Sequence, residues 1–156
     1  MGQGSTFKVY LPAVSLKPET AVERQISLEA FRGQGERILL VEDEEAIREF
    51  STRTLRENGY APFPAANATE ALAIFEREEG NFALVFSDVV LPDESGLKLV
   101  DRLLARKPDL RVLLSSGYTN QKSQWQAIRE RGFPYLKKPY SMSELLRSVS
   151  EAMRSR

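Results

Sequence analysis

Acidic, hydroxyl and lysine side chains follow four apolar segments of this sequence, each directly after such a segment. The four sets are Glu42-Asp43, Asp88, Ser115-Ser116 and Lys137-Lys138. Carboxylates brought together repel one another and raise one another's pKa unless a cation neutralises them, and oxygen-only ligands suit Mg²⁺. A carboxylate beside such an ion can attack phosphorus to form an aspartyl phosphate, whose oxygens a hydroxyl and an ammonium group would bind.

The 156-residue chain contains neither histidine nor cysteine. This composition excludes histidine-based triads, cysteine nucleophiles, disulfide frameworks and zinc sites built on these ligands. The 22 basic residues balance the 22 acidic ones, so no net charge favours nucleic acid. No apolar run approaches the roughly 20 residues that span a bilayer. We therefore expect a cytoplasmic protein with no nucleic-acid partner and no direct membrane contact.

From residue 36 onward, short apolar segments alternate with amphipathic ones, which predicts five strands and five helices. The predicted strands are Arg37–Val41, Tyr60–Ala65, Phe82–Phe86, Arg111–Leu114 and Phe133–Leu136. Helices are predicted over Glu44–Asn58, from Asn67, around Leu97–Leu104, over Asn120–Arg131 and from Ser141 to Met153. Such alternation indicates a parallel sheet covered on both faces, and ligands of these sheets bind beyond the carboxyl ends of the strands. The four polar sets would converge there.

Three helix boundaries carry specific signals. Gly59 is predicted to close the first helix as a C-cap. Asn67, with Glu70 three residues later, is predicted to begin the second, and Ser141 the last.

The segments ILLVEDE, VFSDVVLPDESG, LLSSGYT and LKKPYS together resemble the four signature stretches of two-component response-regulator receiver domains. The resemblance covers residues 36–156. It implies an α/β fold of the flavodoxin-like doubly wound (βα)5 type, with five parallel strands in the order 2-1-3-4-5. It also implies a phosphorelay function, in which the domain accepts a phosphoryl group from phosphohistidine and switches protein–protein interactions.

The resemblance assigns the acidic residues to phosphoryl acceptance and to magnesium. Asp88 would be the phosphoacceptor. Asp43 and Asp88 would ligate Mg²⁺ directly, Glu42 would act mostly through water, and the backbone carbonyl of Val90 would complete the protein ligands.

The resemblance also assigns the hydroxyl, the lysine and an aromatic residue. Ser116 would bind a phosphoryl oxygen, Lys138 would pair with the phosphoryl group, and Tyr135 would rotate in concert with Ser116. The Lys138–Pro139 peptide bond would be cis. Ser115 and Lys137 are adjacent competitors. Ser116 is preferred because Gly117 leaves room for the phosphoryl group, and Lys138 because the family motif places its lysine directly before proline.

Each of these residues alone also has a structural explanation. Asp43 could cap a helix, Lys138 could be a solvated surface lysine, and Tyr135 could be a core residue. Their joint placement at strand ends favours a functional site.

Two other classes of protein fit less well. A haloacid-dehalogenase-type Mg²⁺ phosphohydrolase uses the same groups but needs a second carboxylate two residues after its nucleophile, where this sequence has Val90. An FMN-binding module needs a phosphate loop after the first strand, where Glu42 and Asp43 would repel phosphate.

Residues 1–35 precede the alternating pattern. Within them, GQGSTFKVYLP resembles the last glycine box and closing strand of a histidine-kinase ATPase domain. This implies that residues 1–13 are the end of such a domain, that residues 14–35 are a linker with some helical pattern, and that the parent is a hybrid sensor histidine kinase. Because the chain contains no histidine, the phosphodonor must be a histidine kinase or histidine phosphotransfer protein outside it. The sequence leaves a homodimer open.

Overall fold

Five strands and five helices alternate along the computed structural model of the chain, which describes residues 28–117 and 122–154. The strands are β1 Arg37–Val41, β2 Ala61–Ala65, β3 Leu84–Asp88, β4 Arg111–Ser116 and β5 Tyr135–Lys137. The helices are α1 Glu45–Glu57, α2 Ala68–Arg77, α3 Gly96–Arg106, α4 Lys122–Arg131 and α5 Met142–Arg154. The segment 1–13, residues 14–27 of the predicted linker and the predicted start of the fourth helix at Asn120 lie outside the described residues. Within the two described ranges, no helix is long and apolar enough to cross a bilayer.

The five strands form one parallel sheet in the order β2-β1-β3-β4-β5, which confirms the predicted topology. Val41 lies opposite Ser87, Asp88 opposite Ser115, and Ser116 opposite Lys137. The carboxyl ends of β1, β3, β4 and β5 therefore meet at one edge of the sheet.

Alternating side chains of each strand point to opposite faces of the sheet, so β1 contributes to two apolar clusters. Leu39 and Val41 pack with residues of α2, α3 and α4, whereas Ile38 and Leu40 pack with residues of α1 and α5. All four side chains are buried, and burying one such side chain contributes roughly 1.5–3 kcal/mol. The two clusters hold the strand ends in fixed positions.

The two predicted N-caps are present, whereas the C-cap of α1 is Asn58, one residue before the predicted Gly59. The Asn67 side chain accepts the Glu70 N–H at 2.8 Å. At the start of α5, the Ser141 hydroxyl accepts the Glu144 N–H at 3.3 Å, and the Glu144 carboxylate accepts the Ser141 N–H at 2.7 Å. Gly59 follows α1 with φ +87°, a conformation that favours glycine.

Three strands begin later than predicted. β2 begins at Ala61 because the Tyr60 N–H bonds the Leu55 carbonyl of α1. β3 begins at Leu84 because the Phe82 N–H bonds the Gly80 carbonyl in the preceding turn and is unavailable to the sheet. β5 begins at Tyr135 because Pro134 has no amide hydrogen to donate. β3 and β5 instead extend further at their carboxyl ends, to Asp88 and Lys137.

Residues 28–35, here called the arm, lie against the turn that joins α1 to β2 at the amino ends of the strands. The Tyr60 hydroxyl donates to the Phe31 carbonyl at 2.8 Å. A Cβ added at Gly59 would overlap the Gly33 carbonyl oxygen. Two further backbone bonds join the arm to this turn: Gly33 N–H to the Asn58 carbonyl at 2.9 Å and Gly35 N–H to the Gly59 carbonyl at 2.7 Å. Phe31 also packs against the α1/α5 cluster, so the arm packs as part of the domain.

Candidate functional site

The predicted acidic residues form a compact cluster beyond the carboxyl ends of β1 and β3. One carboxylate oxygen from each of Glu42, Asp43 and Asp88 lies within 4.8 Å of the other two. Glu42 is 1% exposed and Asp88 7% exposed, whereas Asp43 faces solvent. The cluster is thus buried on the strand side and open on the Asp43 side.

The Lys138 ammonium group bridges two of these carboxylates. It lies 2.6 Å from Glu42 Oε2 and also forms an ion pair with Asp88 Oδ2. Burial lowers the pKa of Lys138, but the hydrogen bonds and charges of Asp88 and Glu42 outweigh it, so the net pKa is raised. Burial raises the pKa of Glu42 above its ordinary value despite the opposing effect of Lys138, and the Asp88 charge adds to the rise.

Arg48 holds the backbone that carries Glu42 and Asp43. Its guanidinium donates to the Glu42 carbonyl at 2.8 Å and to the Asp43 carbonyl at 3.0 Å. We did not identify this residue from the sequence. One signal could have indicated it, because a basic side chain in the first turn of a helix opposes the helix dipole and needs another reason to be there.

Asp43 is not the N-cap of α1. The cap position is Glu44, and α1 begins at Glu45. Glu44 itself makes no side-chain cap hydrogen bond. The structural explanation of Asp43 as a helix cap is therefore not supported, and its carboxylate belongs to the acidic cluster.

The backbone after Asp88 turns sharply past the cluster. The Val90 N–H donates to Asp88 Oδ1 at 2.9 Å, and the Val90 side chain is 44% exposed. Gly96, the first residue of α3, packs so closely that an added Cβ would overlap the Asp88 carbonyl oxygen. Asp88 therefore has one oxygen bonded to Val90 and the other to Lys138.

The predicted hydroxyl and aromatic residues are joined through the Ser116 backbone. The Ser116 carbonyl accepts the Lys138 N–H at 2.9 Å and the Tyr135 hydroxyl at 3.1 Å. The Ser116 hydroxyl donates to the Gly117 carbonyl at 3.1 Å. The competing hydroxyl of Ser115 is also buried, and within the described ranges it has no hydrogen-bond partner. The Lys138–Pro139 bond is cis, as the resemblance implies.

Tyr140 links the lysine loop to α1, a contact that the sequence did not reveal. Its ring packs near Phe50 and Phe86, and its hydroxyl hydrogen-bonds Ser51 at 3.1 Å. Burial raises the pKa of Tyr140 to about 12, against a lowering by the Ser51 hydrogen bond. The two partners are 89 residues apart in sequence, so no local pattern connects them.

The donor set fits a hard divalent cation. Three carboxylates and one ammonium group leave two negative charges uncompensated when all are ionised. Oxygen ligands in this number, with an open side for water, are those that Mg²⁺ prefers.

The fold and this edge define a doubly wound α/β domain with an acidic pocket at the carboxyl ends of its strands. The sequence profile of the response regulator receiver domain matches residues 38–150. The chain belongs to this family and is a receiver domain of two-component signalling. Receiver domains generally bind Mg²⁺ at an acidic pocket and interact with histidine kinases or phosphotransfer proteins.

Several known proteins are similar to this chain. Sensor kinase CckA of Brucella abortus is 33% identical over 98% of this chain and 17% of its own length. The transcriptional regulator NtrC of Azospirillum brasilense is 33% identical over 76% of this chain and 24% of its own length. The crystal structure of the receiver domain of the hybrid histidine kinase CckA is 32% identical, with a TM-score of 0.63, and covers 75% of this chain and 98% of that one.

This chain therefore spans a quarter or less of the two curated relatives described above. The family membership does not favour the alternative of a haloacid-dehalogenase-type phosphohydrolase. Two structural facts agree with this. Asp88 ends β3 and not the first strand, and the residue two positions later is the apolar Val90.

Proposed function

We propose that Asp88 is the residue that accepts the phosphoryl group, with Lys138 and Ser116 binding the oxygens of the transferred group. The observation that carries this proposal is the contact of the Lys138 ammonium group with the carboxylates of Asp88 and Glu42. This contact sets a fixed positive charge beside the nucleophile before any substrate arrives. A charge that is already in place does not have to be reoriented during the reaction. Positioning and electrostatic stabilisation of this kind are the main source of catalysis in phosphoryl transfer.

The metal in this proposal is Mg²⁺. Its protein ligands would be the carboxylates of Asp43 and Asp88 and the Val90 carbonyl, with Glu42 contributing through water. When bound, the ion would neutralise the clustered carboxylates and the developing charge on the phosphoryl oxygens. Support comes from the 4.8 Å spacing of the three carboxylates and from the chemistry of an all-oxygen set.

The proposed step is a transfer between a phosphohistidine and Asp88. An Asp88 oxygen forms a bond to phosphorus while the phosphorus–nitrogen bond of the donor breaks, and the electron pair stays on the imidazole nitrogen. The Val90 N–H keeps the Asp88 carboxylate in one orientation. As the negative charge moves from the carboxylate to the phosphoryl oxygens, the Lys138 ammonium group pairs with those oxygens.

We further propose that Ser116 and Tyr135 report the phosphorylated state. A hydroxyl drawn toward a phosphoryl group would move the Ser116 backbone. The Ser116 carbonyl is what the Tyr135 hydroxyl bonds at present. A new position of Ser116 would therefore change the position of the ring and the surface offered to a partner.

The assignment is tested by Asp88→Asn with acetyl phosphate and Mg²⁺ as the phosphoryl source. Wild-type protein should gain one phosphoryl group by intact-mass spectrometry, and Asp88→Asn should gain none. Asp109→Asn, which removes an exposed carboxylate paired with Lys107, should react like the wild type. Phosphorylation of the Asp88→Asn protein at the wild-type rate would contradict the assignment.

We propose that the parent protein is a hybrid sensor histidine kinase, either located in the cytoplasm or attached to the membrane. Two observations support this. Residues 1–13 resemble the end of a kinase ATPase domain, and the similarity to sensor kinase CckA extends over 98% of the chain, against 76% for NtrC. Sequencing the coding region upstream of residue 1 tests the idea. It should encode a helix that carries a phosphorylatable histidine, and a DNA-binding domain there would contradict it.

A further inference from the structure

The loop between β3 and α3, residues 89–95 and here called the acceptor loop, is fastened to α2 by the side chain of Asp93. One carboxylate oxygen accepts the Ala68 N–H at 3.0 Å. The other accepts both the N–H and the hydroxyl of Thr69, each at 2.8 Å. Three hydrogen bonds thus tie the tip of this loop to the first turn of a helix 25 residues earlier in the chain.

The base of the acceptor loop is also held by hydrogen bonds. Val90 and Ser95 form an isolated antiparallel bridge, and the Gly96 N–H bonds the Val89 carbonyl at 2.8 Å. The Val90 N–H bonds Asp88 Oδ1 at 2.9 Å. With base and tip both fixed, the position of the tip is transmitted to the Val90 backbone.

Asp93 could serve only to cap α2, but α2 has a cap of its own. The Asn67 side chain accepts the Glu70 N–H, and the Glu70 carboxylate bonds the Ala66 N–H at 2.7 Å. Asp93 is therefore a second attachment at this helix end. Burial acts to raise the pKa of Asp93, but the hydrogen bonds from Thr69 and Ala68 outweigh it and lower the pKa to about 2, so the attachment is charged at neutral pH.

We propose that Asp93 is a positioning residue of the acceptor site. By holding the tip of the acceptor loop on α2, it fixes the Val90 backbone beside Asp88 and so raises the affinity of the site for Mg²⁺. This inference rests on the proposed function, since it assumes that the site binds Mg²⁺ through the Val90 carbonyl. Groups that orient metal ligands from outside contribute measurably to metal affinity.

The test is a titration of the 156-residue chain with Mg²⁺ alone, by isothermal titration calorimetry, on three variants and the wild type. Asp93→Asn should raise the dissociation constant about tenfold. Thr69→Val, which removes only the hydroxyl contact, should raise it by a smaller factor. Asp109→Asn makes the same chemical change at another exposed, hydrogen-bonded aspartate and should leave the affinity unchanged.

A second measurement distinguishes positioning from a general loss of stability. Hydrogen exchange of the Val90 amide, followed by NMR, should speed up by about tenfold in Asp93→Asn. Amides of β1 should keep their protection.

The results of the Mg²⁺ titration distinguish the positioning role of Asp93 from the proposed function of the site. Unchanged Mg²⁺ affinity in Asp93→Asn, with only a lower unfolding midpoint, would reduce Asp93 to a helix cap and overturn this inference alone. Absence of Mg²⁺ binding in the wild type would overturn the proposed function and this inference together. A loss of affinity in Asp93→Asn that Thr69→Val partly shares would support both.

Discussion

The two ends of the parallel sheet are closed by different kinds of interaction. At the carboxyl end, buried Glu42 and Asp88 share one lysine. At the amino end, the arm is held by backbone hydrogen bonds and by the ring and hydroxyl of Tyr60. Buried charges are costly to desolvate even when paired, whereas satisfied backbone groups and apolar contacts are not. The charged end thus retains groups that stability alone would not select, which is expected of a reactive site.

Both ends also depend on a glycine that lies against a carbonyl oxygen. Gly96 lies against the Asp88 carbonyl and Gly59 against the Gly33 carbonyl. These two positions allow the same substitution to be made at each end. If the two ends differ in function as they differ in chemistry, an alanine at Gly96 should affect both metal binding and stability. An alanine at Gly59 should affect stability alone.

The largest effect is expected from Gly96→Ala. The added methyl group would overlap the Asp88 carbonyl oxygen, so either α3 or the Asp88 backbone must move. We expect a loss of about 3 kcal/mol in the free energy of unfolding in urea, with weaker Mg²⁺ binding. Gly117→Ala is the control, since an added Cβ there meets nothing within 4 Å and should change stability by less than about 0.5 kcal/mol. Retention of wild-type Mg²⁺ affinity in Gly96→Ala would contradict the link between this contact and the site.

Gly59→Ala should have the next largest effect, about 2 kcal/mol in the free energy of unfolding. Alanine is strained at φ +87°, and its Cβ would displace the arm. Gly132→Ala is the control that measures the backbone strain alone, because Gly132 has φ +66° but no atom within 4 Å of an added Cβ. This variant should lower the free energy of unfolding by about 1 kcal/mol. Mg²⁺ affinity should equal that of the wild type in both variants. A weaker affinity in Gly59→Ala would show that the two ends are coupled.

The carboxyl end was far easier to predict from the sequence than the amino end. Asp43, Asp88 and Lys138 stand at the ends of apolar segments of the sequence, and a parallel sheet must bring such ends together. The structure places these residues in one cluster. Residues 28–35 carry no comparable pattern. Their attachment depends on Tyr60 and on a backbone contact between two glycines, and neither is visible until the turn after α1 is built.

Side-chain attachments between distant segments were missed at the carboxyl end too. The sequence predicts no role for Asp93, yet its carboxylate accepts hydrogen bonds from the first turn of α2. The sequence predicts no partner for Tyr140 either, yet its hydroxyl hydrogen-bonds Ser51. In both cases the partner is fixed by helix packing and not by spacing along the chain.

The Tyr140–Ser51 hydrogen bond sharpens the comparison because it joins two neutral groups at the charged end. Tyr140→Phe and Ser51→Ala should each lower the free energy of unfolding by about 1 kcal/mol, because each leaves the hydroxyl of its partner unpaired in a part-buried position. The double variant should lose less than the two single losses together. Strict additivity, measured by urea unfolding, would mean that the bond contributes nothing.

The pKa of Tyr140 gives this contact a pH signature. Since the folded pKa is raised from 10.0 to about 12, folding favours the neutral phenol. Its contribution is complete below pH 10 and is lost as the pH rises toward 12. The stability difference between wild type and Tyr140→Phe should shrink over this interval, and a constant difference would contradict the assignment.

The smallest effect is expected from Glu42→Gln, which tests whether charge at the carboxyl end is a cost. Because the pKa of Glu42 is raised in the folded protein, its contribution to stability is largest at low pH and declines as the pH rises through the folded pKa. Glutamine mimics the protonated acid.

Without Mg²⁺ at pH 7, the Glu42→Gln variant should therefore be as stable as the wild type or more stable, by less than about 1 kcal/mol. At pH 4 any advantage in stability should vanish. Urea unfolding at the two pH values measures the effect. A clear loss of stability in Glu42→Gln at pH 7 would show that the pair with Lys138 stabilises the fold, and the contrast between the two ends would then be one of geometry and not of energy.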